Sequence, residues 1–231
     1  MKILALITAR GGSKRLPGKN VRPLAGKPLI VWSIDVVRDI PEICDILVST
    51  DDPGIAEISR NAGALVPWLR PAELATDTAG SVDVALHALD WYMATHGVID
   101  GLLLLQPTSP FRSRSTVLSG IDLFARNAGG PVIGVSPSHA HPMWTFRLEG
   151  DFLVPFLEEH GFGTRSQDLT PAYVWNGSFF LVAPEELRAR HSFVGAKSIP
   201  LVMASAQEAL DIDSEWDFQL AELIAAKLHG P

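Results

Sequence analysis

The chain has 231 residues, 47% of them apolar, a formal net charge of -7 and one cysteine. That length and apolar content suit one large α/β domain with a sizeable core. The acidic balance argues against general nucleic-acid binding, a single cysteine excludes an internal disulfide, and no apolar run is long enough for a membrane span or a signal-peptide core. The expectation is a soluble, cytoplasmic protein with no nucleic-acid or membrane partner. A small anionic ligand remains open wherever positive charge is local.

Ile3–Ile7 is apolar at every position, as in a central parallel strand covered on both faces. It breaks into a loop that carries Arg10, Lys14, Arg15, Lys19, Arg22 and Lys27, and no Asp or Glu occurs before Asp35. Pro17, Pro23 and Pro28 keep this loop from coiling. Pro28 then opens a helix over 28–39, with Leu29, Trp32, Val36 and Val37 inward. Cys44 sits beside an apolar run and reads as a small buried hydrophobe. Ile46–Val48 is a second buried strand. A short helix over 54–62 follows, with Ile55 and Ile58 inward and Gly63 at C′. Leu65–Val66 starts a short strand. Thr78–His96 reads as a helix on Val82, Leu86, Leu89 and Met93. Leu102–Leu105 is a central strand, 115–128 a helix, and Val132–Val135 a further strand.

This alternation is the pattern of a three-layer, Rossmann-like, mainly parallel sheet that binds ligands at the carboxyl ends of its strands. The rhythm changes at Ser136. Through Trp175 the chain carries scattered prolines and many aromatics, and Glu149-Gly150-Asp151 reads as a hairpin turn. We take 137–175 as an excursion from a single domain spanning 1–231, forming a dimer interface and a lid over the site. Ser178–Val182 and Ile199–Met203 return to strand. Ser214 caps a closing helix to Leu228, with Leu220, Ile224 and Leu228 inward. Trp32, Trp91 and Trp216 lie within helical patterns and read as core.

The opening loop has the chemistry of an anion cradle. Gly11 and Gly12 let the backbone approach a ligand and present N–H groups, and the cations supply charge-assisted bonds to phosphate oxygens. It is not a P-loop, because Gly12 and Gly18 have one residue too many between them and Asn20, not a hydroxyl residue, follows Lys19. The G-x-G-x-x-G dinucleotide fingerprint is absent too. A second signal is Asp211-Ile212-Asp213, whose carboxylates point the same way on an extended segment and suit Mg²⁺, although a helix-start cap beside a solvated carboxylate fits the spacing equally well. Asp51-Asp52, at a strand end, reads as helix capping. His139 and His141 form an H-x-H without the companions of a zinc site, so they read as loop histidines. No G-x-S-x-G elbow is present.

Five blocks, in order, resemble the acylneuraminate cytidylyltransferases (CMP-sialic acid synthetases). They are Ala9–Asn20, Arg70–Asp77, Leu104–Arg112, Asn176-Gly177 and Asp211–Asp213. The resemblance implies transfer of CMP from CTP to the anomeric hydroxyl of a nine-carbon 2-keto sugar acid, with release of pyrophosphate. It implies that Arg10, Ser13 and Lys19 hold the phosphates with the Gly11–Gly12 backbone, Lys14 assisting, that Asn20 touches the nucleotide, and that Arg70 and Ser81 line the cytidine side, with Asp77 a nucleotide-binding residue nearby in that block. Gln106, Ser109, Arg165, Gln167 and Asn176 fall on the sugar side. Asp211 and Asp213 would hold Mg²⁺ or another divalent cation, and Asp211 would serve as base; Arg10 and Lys19 join it as catalytic candidates. Val174, Trp175 and Ser166 depart from the family pattern, so the sugar stays open between N-acetylneuraminate and bacterial analogues such as legionaminate. A KDO cytidylyltransferase, a non-catalytic sugar-nucleotide module and a partner-binding protein are the competing readings.

Overall fold

The computed structural model describes residues 1–158 and 161–229. In chain order the elements are β1 (Ile3–Thr8), the small hairpin β2 (Pro23–Leu24) and β3 (Lys27–Pro28), α1 (Leu29–Asp35), β4 (Ile43–Ser49), α2 (Pro53–Asn61), α3 (Ser81–His96), β5 (Gly101–Leu105), α4 (Arg114–Arg126) and β6 (Val132–Pro137). The hairpin β7 (Phe146–Glu149) and β8 (Phe152–Pro155) follows, then β9 (Tyr173–Val182), α5 (Pro184–Arg190), β10 (Ile199–Val202) and α6 (Glu215–His229). A six-stranded sheet runs in the order β10-β6-β9-β5-β1-β4. The β1–β4, β1–β5 and β6–β10 pairs are parallel, whereas β9 runs antiparallel to both neighbours.

The apolar runs do what their composition requires. Along β1, Ile3, Ala5 and Ile7 enter one core cluster, while Leu4 and Leu6 enter the other. In β5, Leu103 and Leu105 face the first cluster, and Leu102 and Leu104 the second. Residues from α1, α2 and α4 cover the first face, and residues from α3 and α5 the second. The sheet is therefore the middle of three layers. A smaller cluster packs Phe218, Ala221 and Ala225 of α6 against Leu16, Leu24, Leu29, Phe111 and Ile212.

Several sequence expectations are corrected. Helix α1 starts at Leu29, with Pro28 as its N-cap, and stops at Asp35. It buries Leu29, Ile30, Ser33 and Ile34 because it packs against two clusters rather than one. In α3 the expected face holds, with Leu89 buried and Val82, Leu86 and Met93 packed partly buried against the same cluster, and Val84, Ala85, Ala88 and Tyr92 widen it. In α6 the buried line is Phe218, Ala221 and Ala225, whereas Leu220 and Leu228 are exposed and Trp216 is 73% exposed. Small residues cause the shift in α6: alanines let the helix approach its neighbour closely, so the bulkiest stripe is not the buried one. Leu65 makes a single bridge to Leu47 instead of a strand. Cys44 is exposed, with its thiol donating to the Ile3 carbonyl at 3.2 Å.

Other local readings hold. Asp52 caps α2, its carboxylate accepting from Ile55 N at 2.9 Å. At the start of α6, Ser214 and Asp217 bond each other's backbone N–H groups, a reciprocal cap. Gly150 turns the β7–β8 hairpin at φ 58°. His141 caps the turn Pro142–Trp144, its Nδ1 accepting from Met143 N, so it is a structural loop histidine. Among the described residues no helix is long and apolar enough to cross a membrane.

Helix α4 approaches β9 through Gly120, where a Cβ would overlap the Phe179 ring. Gly120→Ala is expected to lower stability by about 1–3 kcal/mol through overpacking. The measurement is the urea midpoint at unchanged m. An unchanged or higher midpoint contradicts this close contact.

Candidate active site

The register of the parallel strands brings Thr8, Ser49 and Leu105 to one edge of the sheet. Above that edge lies a cavity of about 560 Å³. Its walls come from three distant parts of the chain: the opening loop (Arg10, Ser13, Lys14, Arg15, Lys19, Asn20), the segment Gln106–Thr108 after β5, and Asp211 with Asp213. The cationic loop and the acidic pair thus face one space.

Lys19 joins them. Its ammonium donates to the Ile212 carbonyl at 2.7 Å and to the Asp213 carboxylate at 3.0 Å, and the residue is 9% exposed. A buried ammonium needs such partners to offset its lost hydration. Arg15 reaches the other Asp213 oxygen at 3.2 Å. Asp211 lines the cavity with no hydrogen bond or ion pair among the described residues. The two carboxylates therefore differ: Asp213 is held by cations and Asp211 is open.

Gly11 donates its N–H to Asp51 at 3.0 Å, which ties the loop to the end of β4. A Cβ on Gly11 would lie 2.7 Å from the Asp52 carboxylate, which explains the glycine. Space around Gly12 is open. Asn20 is buried and donates to the Arg10 carbonyl at 3.0 Å, pinning the loop while it lines the cavity.

Arg70 is buried and does not line the cavity. Its Nε donates to Ser49 Oγ at 3.0 Å and another nitrogen to the Ser49 carbonyl, and burial lowers its pKa. Ser81 opens α3 and is exposed. Asp77 accepts from Arg10 at 2.6 Å and pairs with Lys14. Asp77 thus stands beside the cavity, with its carboxylate engaged by two of the loop's cations.

On the other flank, Gln106 leads out of β5 and its N–H meets the Gly177 carbonyl at 3.3 Å. A Cβ on Gly177 would collide with the Gln106 amide and come within 3.2 Å of Ser109 Oγ. Ser109 Oγ and Asn176 Nδ2 are buried without hydrogen-bond partners. Buried polar groups are seldom left so unless something else meets them. Arg165 and Gln167 lie apart from this cavity in the excursion. Arg165 is exposed and pairs with Asp168 at 2.8 Å.

A divalent cation fits the donor set in one form. No cluster of three or more His, Cys, Asp or Glu among the described residues could hold a metal. Asp211 and Asp213 offer carboxylate oxygens only, which suits Mg²⁺ completed by substrate phosphates and water.

The sequence reading missed the braces behind the cavity. Arg112 is buried, with burial pushing its pKa down to about 9, and it donates to Gln106 O (2.6 Å), Ser33 Oγ (2.8 Å) and Ser178 O (2.7 Å). Glu208 is buried and accepts from Ser113 N, Thr116 Oγ1 and Ala204 N. No spacing rule reveals most of these partners, because the bonds to Ser33, Ser178, Ser113 and Thr116 each span more than 60 residues.

Comparison with known proteins agrees with this geometry. The family model for cytidylyltransferases matches residues 4–111. The chain is 38% identical over 96% of its length to a CMP-N,N'-diacetyllegionaminic acid synthase from Legionella pneumophila, covering 95% of that protein. It is 31% identical over 98% of its length to an N-acylneuraminate cytidylyltransferase from Escherichia coli, spanning 52% of that longer protein. A pseudaminic acid cytidylyltransferase from Campylobacter jejuni is 28% identical over 97% of the chain and 96% of its own length. In fold, it resembles a CMP-2-keto-3-deoxy-manno-octonic acid synthetase complexed with CTP, at TM-score 0.71 and 15% identity over 99% of this chain and 100% of the other. Since a relative 38% identical to the chain covers 96% of it and is itself covered to 95%, the chain belongs to the acylneuraminate cytidylyltransferase family of nucleotidyltransferases.

Proposed function

We propose that the protein transfers CMP from CTP to the anomeric hydroxyl of a nine-carbon 2-keto sugar acid, with a legionaminate- or N-acetylneuraminate-type acid as the acceptor. The observation that carries this reading is the shared cavity of the cationic loop and the Asp211–Asp213 pair. Arg10, Ser13, Lys14 and Lys19 hold the triphosphate. Asn20 keeps the loop in shape beside it, and Arg70 and Ser81 bound the cytidine side. Gln106, Ser109 and Asn176 offer hydrogen bonds to the sugar acid; the two unpartnered polar atoms behind Gln106 support that assignment.

The anomeric oxygen attacks the α-phosphorus, and the bond from that phosphorus to the bridging oxygen breaks. Pyrophosphate leaves with the electron pair. The hydroxyl proton passes to the open Asp211 carboxylate. Lys19 and Arg10 neutralise charge on the phosphates, and fixed positions supply most of the rate. Asp211 and Asp213 would hold Mg²⁺, which neutralises phosphate charge when bound.

The excursion serves as the subunit interface of a homodimer. Leu148 and Phe152 are more than three-quarters or three-quarters exposed (77% and 75%), and Leu153, Phe156 and Trp175 are exposed beside them in sequence. So much apolar surface on one segment suits a partner. A second copy would bring Arg165 and Gln167 towards its neighbour's sugar side. A cytoplasmic location, where CTP is made, fits this role.

Pyrophosphate release from CTP, measured with N-acetylneuraminate, legionaminate, pseudaminate and KDO, tests the reading. At least about tenfold higher kcat/KM for a nine-carbon acid than for KDO is expected. Preference for KDO, or no release with any acid, contradicts it. Asp211→Ala should lower kcat by about 10²-fold or more; wild-type turnover removes both roles of Asp211. In sedimentation the wild type should run as a dimer and Phe152→Asp as a monomer. A monomeric wild type overturns the interface.

A further inference from the structure

Two cations that line the cavity are already engaged. Arg10 Nη1 donates to Asp77 Oδ1 at 2.6 Å, and Lys14 Nζ pairs with Asp77 Oδ2. One carboxylate thus spreads its two oxygens over two cations, as a phosphate group would. Asp77 itself does not line the cavity. It sits on a turn closed by Ala79 N donating to Thr76 O at 3.3 Å, directly ahead of α3. Lys14 and Arg10 hold its carboxyl below the ordinary carboxylate range, so Asp77 is anionic at neutral pH.

All three side chains are substantially exposed. Ion pairs of that kind are weak and exchange readily. A triphosphate carries more charge than a carboxylate and needs the same donors. Two anions cannot share one ammonium and one guanidinium without mutual repulsion. Resting on the nucleotidyltransferase reading above, we propose that Asp77 is a tethered counter-anion that competes with phosphate. It holds Arg10 and Lys14 in position in the empty site, yields them to the incoming triphosphate, and takes them back as pyrophosphate leaves. Asp77 is thereby a positioning residue that tunes phosphate affinity and product release.

The consequence is opposite to that of removing a ligand contact. Binding of inorganic pyrophosphate by calorimetry, with Mg²⁺ and without CTP or sugar, separates the two. Asp77→Asn should bind pyrophosphate about three- to tenfold tighter than wild type, the range open to exposed ion pairs. Its dissociation should be slower, and kcat and KM for CTP should fall together. Asp77→Glu, which restores the charge, should return affinity towards the wild-type value. Far-UV circular dichroism and the thermal midpoint check that each variant is folded. Unchanged or weaker pyrophosphate binding by a folded Asp77→Asn overturns the proposal and leaves the proposed activity standing. Absence of pyrophosphate and CTP binding in the wild type as well removes the site, and both readings with it.

Discussion

Lys19 ties the two ends of the chain together. Its ammonium, nearly removed from solvent, has no stable position without the Ile212 carbonyl and the Asp213 carboxylate, and these lie 193 and 194 residues away. The opening loop and the acidic segment are therefore mutually dependent: neither has its site geometry without the other. Apolar packing reinforces the link. Leu16 and Leu24 from the loop share a cluster with Ile212 and Phe218. Arg22 lies 3.9 Å over the Phe218 ring and makes a two-pronged bond to Glu215. Helix α6 thus acts as a clamp that returns the chain's end to its beginning.

The far wall is fixed by a second buried charge. Arg112 satisfies its guanidinium on Gln106, Ser33 and Ser178, joining the end of β5 to α1 and β9. Glu208 anchors the segment that leads to Asp211 onto the start of α4. Removing one partner from such a network leaves an uncompensated buried group, which is why these bonds hold their neighbours in one arrangement. Side chains on the cavity surface can then stay open for ligands.

Much of the sheet was legible because its signal is local. Ile3–Ile7 and Leu102–Leu105 are apolar throughout, and only a strand buried on both faces suits that pattern. The cationic loop was equally plain, since charge in an acidic chain is conspicuous. Direction was not legible: β9 looks like any buried strand, yet pairs antiparallel with β5 and β6. The face of α6 is not legible because alanines pack inward there, and bulk is a poor guide to burial. Trp216 is the sharpest case, an aromatic in a helical pattern that faces solvent. Within the site, residue types were readable and their engagements were not. Gly11 N–H meeting Asp51, and Asp77 meeting Arg10 and Lys14, depend on contacts across 40 residues or more.

The proposed activity stands or falls with the loop and the acidic pair making one triphosphate site. A crystal structure with CTP and Mg²⁺ tests it most directly. Triphosphate oxygens are expected within hydrogen-bonding distance of Arg10 and Lys19, with Asp211 facing the metal-bound phosphates. A triphosphate seated elsewhere on the chain, with Lys19 still bonded only to Ile212 and Asp213, would contradict it.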